Sequence, residues 1–64
     1  MTPPLSPREV RVVRLVAEGK ANKEIAAVLN LSEGSVKQYL HVAMKKLRFS
    51  NRTELAVWLV KALG

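Results

Sequence analysis

The chain has no cysteine, which excludes disulfides and thiolate metal sites. Its single histidine, His41, argues against a zinc site and leaves little from which to build Ser–His chemistry. Aromatic residues are scarce, with one Trp, one Tyr and one Phe, and acidic residues number five against eleven Lys and Arg. No run of ~18 apolar residues exists to cross a bilayer, and the first residues lack a charged-then-apolar leader pattern. A soluble cytoplasmic protein is the expectation. With 64 residues there is little room for both a core and a drug-sized pocket, and no nucleophile–base pair is in view, so the chain is not read as an enzyme.

What is present is an apolar fraction of 48%, enough for one compact core and too high for disorder at this charge. The formal net charge is +6. Charge of that size speaks to partners rather than fold: a nucleic acid, an anionic membrane or an acidic protein would each fit.

The patterning is helical throughout. Met1 to Leu5 reads as a short extended lead-in, because proline disfavours helix in the residue before it. Ser6-Pro7-Arg8-Glu9 then supplies an N-cap, a proline at the first helical position and a capping-box glutamate. The first helix should cover about 7–18, with Val12, Val13 and Val16 on one face beside Glu9, and stop at Gly19. Asn22 is placed to cap a second helix (22–29) that buries Ile25, Ala26 and Leu29. Asn30 tolerates the left-handed turn that follows, and Ser32 caps a third helix (33–47). Its apolar side is Val36, Leu40, Ala43 and Leu47; its polar side carries Lys37, Gln38, His41, Lys45 and Arg48. Phe49 plugs the end of the core, and Asn51 with Glu54 starts a last helix (52–63) ended by Gly64. Glu9, beside the core, needs a cation, either Arg52 or Lys46.

Helices two and three have the spacing of a helix-turn-helix: a small residue at the crossing (Ala26), a left-handed turn residue (Asn30) and an apolar lock (Val36). The expected fold is therefore all-α, a compact four-helix domain containing a helix-turn-helix and occupying residues 1–64.

The blocks Leu5-Ser6-Pro7-Arg8-Glu9, Val12-Val13, Gly19, Asn22-Lys23-Glu24-Ile25-Ala26, Leu29, Leu31-Ser32, Ser35-Val36-Lys37, Ala43-Met44, Lys46-Leu47 and Arg52 resemble the LuxR-type DNA-binding domain. The same domain ends NarL- and FixJ-type response regulators and stands nearly alone in GerE-type regulators. The resemblance implies sequence-specific binding of double-stranded DNA by a bacterial transcription regulator, with the third helix in the major groove and no cofactor. It implies base reading by Lys37, Gln38 and His41. Phosphate contacts would come from Asn22, Lys23, Ser35, Lys45 and Lys46. These roles suit the residues: Lys37 and His41 lie one turn apart, and Gln38 can pair bidentately with adenine. Ser35 sits in the first turn, where a phosphate meets N–H groups.

The sequence departs from the family pattern at Tyr39, where histidine is common, at Val42, where a polar residue is frequent, and at Arg48, which replaces a usual glycine. Arg8, Arg11 and Arg14 read as a solvated face adding diffuse attraction to DNA.

The last helix is apolar over more than the ~100° stripe that one core contact needs. Family members dimerise through it, which implies a homodimer on DNA, weak or absent in free solution, through Glu54, Val57, Trp58 and Lys61. RNA polymerase is a further partner to be tested. The alternative is a small helical interaction module contacting the transcription machinery through the last helix. The chain is compatible with a free-standing regulator or with one domain of a larger protein.

Overall fold

A computed structural model describes residues 5–63, apart from the Leu63 side chain; the extended lead-in expected over residues 1–4 and the stop at Gly64 lie outside them. The described chain is all-α, with α1 Pro7–Ala17, α2 Asn22–Leu29, α3 Glu33–Leu47 and α4 Arg52–Leu63. Helix α1 is the hub: it packs most extensively on α4, then on α3, and also touches α2. The backbone of helix α2 packs on α3 and α1.

The core follows the apolar faces of all four helices. Val12, Val13, Ile25, Val36, Ala43 and Leu55 are wholly buried, and Val16, Ala26, Leu40 and Leu59 nearly so. Leu5 is buried against the same cluster, holding the chain just before the Ser6 cap in place. Leu29 and Leu47, expected inside, are only half-buried at its rim, as is Phe49. They stand at helix ends, where one side of the side chain has no neighbouring turn to cover it.

Local chemistry explains the helix starts. The Ser6 hydroxyl accepts the Glu9 N–H (3.2 Å) while Glu9 Oε1 accepts the Ser6 N–H (2.8 Å), closing the capping box. Asn51 Oδ1 accepts the Glu54 N–H at 2.9 Å at the start of α4, and Ser32 Oγ accepts the Ser35 N–H at 3.1 Å in α3. Helix α2 differs from expectation. Its N-cap is Ala21, one residue before Asn22, and no side-chain oxygen caps it; only the Ala21 N–H is met, by Glu24 Oε1 at 2.9 Å.

Helices α1, α2 and α3 all end in the same way. Each is followed by a left-handed residue, and two N–H groups fold back onto carbonyls of the last turn. Lys20 N–H reaches Leu15 O, Leu31 N–H reaches Ala26 O, and Phe49 N–H reaches Met44 O, at 2.8–3.1 Å. The left-handed residues are Gly19 (φ 87°), Asn30 (φ 57°) and Arg48 (φ 60°). Glycine adopts this conformation freely, asparagine with ease, and arginine at a cost of about 1–2 kcal/mol.

Candidate nucleic-acid interface

The turn between α2 and α3 sets the site. Ala26 is 6% exposed where the two helices meet, and its lack of bulk permits the close approach. Asn30 reverses the chain and Val36, fully buried, locks the α3 side. With its apolar face so fixed, α3 turns Lys37, Gln38, His41 and Lys45 to solvent, all exposed. The one acidic residue of α3 is Glu33, in its first turn. Among the described residues the only ion pair is Lys46–Glu9, so the Lys37, Lys45 and Lys23 ammonium groups are matched by no carboxylate.

Ser32, Gly34, Ser35, Gln38 and Tyr39 line an open hollow at the start of α3. There the Ser32 hydroxyl accepts from the Ser35 N–H and donates to Ser35 Oγ at 3.0 Å. The proton of the Ser35 hydroxyl is thereby left to donate outward. Tyr39 is half-buried and packs against the core. Val42 is half-buried too.

The start of α2 has no side-chain cap. Because Ala21 has no side-chain oxygen, the first-turn N–H groups of α2 keep no capping partner from residue 21. Asn22 faces instead toward α4: its Oδ1 accepts from Arg52 Nη1 at 2.9 Å, and Arg52 Nη2 donates to Lys20 O at 3.1 Å. Arg52 is therefore not the partner of Glu9. That role belongs to Lys46, whose Nζ is 2.8 Å from Glu9 Oε1. Burial alone would push the Glu9 carboxyl up, but hydrogen bonds from Lys46 and Ser6 and the Lys46 charge outweigh it and hold it below the ordinary value of 4.5.

On α4, Val57 and Val60 are exposed at 47% and 59%. Phe49, Thr53, Glu54, Val57, Trp58 and Lys61 line one mainly apolar hollow. Val60 adds to the apolar surface of α4 in excess of one core stripe. Among the described residues no helix is long and apolar enough to cross a membrane, and no cluster of ligating side chains could hold a metal ion.

The sequence model of the luxR family of bacterial regulatory proteins matches residues 3–59. This chain belongs to that family. Its relatives include the nitrate/nitrite response regulator protein NarL of Escherichia coli, 41% identical over 54 residues that cover 84% of this chain and 25% of NarL. The transcriptional regulatory protein DesR of Bacillus subtilis is 45% identical over 51 residues, 80% of this chain and 26% of DesR. Nodulation protein W of Bradyrhizobium diazoefficiens is 49% identical over 51 residues, 80% of this chain and 22% of that protein. The chain thus spans about a quarter of the length of the curated relatives it matches. As a luxR-family helix-turn-helix domain it belongs with DNA-binding transcription regulators rather than with enzymes.

Proposed function

We propose that this luxR-family domain binds double-stranded DNA sequence-specifically, with α3 in the major groove and a second copy bound through α4. The observation that carries the reading is the outward face of α3, where exposed Lys37, Gln38, His41 and Lys45 stand with no carboxylate of the described residues paired to them. Lys37 and His41, one turn apart, reach base edges, and Gln38 beside them offers an amide for adenine. Lys45, one turn beyond His41, meets a flanking phosphate.

Asn22, Lys23 and Ser35 hold further phosphates. The unmatched N–H groups of α2 with the Lys23 ammonium, and separately the Ser35 hydroxyl at the start of α3, are donors suited to backbone phosphates. Lys46 contributes charge at the edge while remaining bound to Glu9. Dimerisation through Glu54, Val57, Trp58 and Lys61 is supported by the apolar hollow those residues share. The exposed Val60 extends that surface. Family membership favours this reading over an interaction module that acts without DNA.

Selection of bound duplexes from a random pool, followed by titration of the winners at several salt concentrations, tests the proposal. A defined motif is expected, with affinity falling steeply with salt as counterions are released. Lys37→Ala should relax base preference at one position, by about 1–3 kcal/mol, while Lys23→Ala should weaken every duplex alike. Identical effects of the two on all sites would show that α3 sits in a different register.

A further inference from the structure

Arg11, Arg14, Leu15, Val28 and Leu29 line a hollow between α1 and α2. Val28 is 61% exposed, more than either valine on the α4 surface, and the half-buried Leu15 and Leu29 continue the apolar floor. Both arginines are exposed, and neither has a carboxylate partner among the described residues. All the basic residues of α1 are arginines, Arg8, Arg11 and Arg14. Guanidinium groups match carboxylates as a fork, shed water more readily than ammonium groups, and are enriched in protein interfaces.

We propose that this hollow binds an acidic protein segment, one apolar side chain of which covers Val28 while its carboxylates pair with Arg11 and Arg14. The charge selects an acidic partner. The apolar floor selects a protein over a nucleic-acid backbone, since phosphates and sugars offer Val28 and Leu15 little to bury against. None of these residues belongs to the proposed duplex interface, so one domain can hold DNA and this partner together.

Two synthetic peptides of equal negative charge test it, one with a leucine flanked by aspartates and glutamates, the other with serine in its place. Each is titrated into the isotope-labelled 64-residue domain and followed by NMR. The leucine peptide should shift the signals of Leu15 and Val28 and bind at least about five-fold more tightly than the serine peptide. Val28→Ser, a change at an exposed position, should abolish that advantage and leave duplex affinity unchanged. Equal binding of the two peptides, or shifts centred on Lys37 and Lys45, would overturn the proposal. If Arg14→Gln weakens duplex binding as much as Lys23→Ala, the hollow is part of the DNA surface and the proposal fails.

Discussion

Lys46 on α3 and Glu9 on α1 meet at 2.8 Å, and the carboxylate oxygen that accepts from Lys46 also accepts the Ser6 N–H. One oxygen thus closes the cap of α1 and ties that helix to the candidate reading helix. Glu9 is 6% exposed, while the Lys46 side chain is 43% exposed, so the pair is wet on one side only. Removing the lysine strands a buried carboxylate. Lys46→Met should therefore destabilise the domain by about 1 kcal/mol, the modest end of the range because solvent still screens the ammonium. Urea unfolding at neutral pH measures it. A DNA-binding loss in Lys46→Ala would mix this structural effect with a lost phosphate contact, and Lys46→Arg separates the two.

Acid should weaken the fold through the same pair. The folded-state pKa of Glu9 lies below its ordinary value of 4.5, so the ionised form is the one the fold favours. Its contribution is complete above the unfolded value and is lost as pH falls through the folded one. Stability measured from pH 6 downward should decline below about pH 4.5, and Glu9→Gln should show a shallower decline. Parallel curves would mean that other carboxylates dominate.

Arg52 makes a different kind of strap. No close approach of backbones joins α2 to α4, yet the Arg52 fork holds Asn22 Oδ1 and Lys20 O together. Arg52→Ala should free the start of α2, cost about 1–3 kcal/mol, and weaken all duplexes equally. Arg52→Lys should rescue poorly, because one ammonium cannot reproduce the two-pronged geometry. Unfolding and duplex titration of both variants decide it.

Two positions work against the fold and can be improved. Arg48 holds a left-handed conformation, so Arg48→Gly should stabilise by about 0.5–1 kcal/mol. At Gly34 an added Cβ would meet only Ser32 Oγ, at 3.8 Å, so Gly34→Ala should add a similar amount through helix propensity. Thermal unfolding of each variant checks these signs.

The α4 surface yields a prediction about assembly. Val57→Asp or Val60→Asp should abolish cooperative binding to paired half-sites while leaving a single half-site unaffected. Sedimentation with duplexes of each kind distinguishes the two, and unchanged cooperativity would place the dimer contact elsewhere.

Much of the fold was legible in the sequence because its signals are local. The Ser6-to-Glu9 cap, the valine face of α1 and the Ala26–Asn30–Val36 spacing depend on neighbours within a few turns. The misreadings concern long-range choices. Asn22 looked like a cap because asparagine usually is one, but Arg52, thirty residues away, engages its oxygen. Lys46 and Arg52 were equivalent candidates for Glu9, since nothing local tells which cation packing brings near. Of the candidate site, the polar face of α3 was readable by periodicity. The exposure of Val28 was not, because an apolar residue on a short helix does not announce which neighbour is missing.

The packing of α1 chiefly on α4, with Leu55 and Leu59 completing the floor beneath Val12 and Val13, bears on how the chain is made. The first three helices leave the ribosome with that floor missing, so the helix-turn-helix is synthesised well before it can be held rigid. Nascent chains stalled short of Leu55 should stay protease-sensitive, with resistance appearing only when Leu59 has emerged. For this domain, competence to grip anything arrives late and all at once, with the three turns of α4.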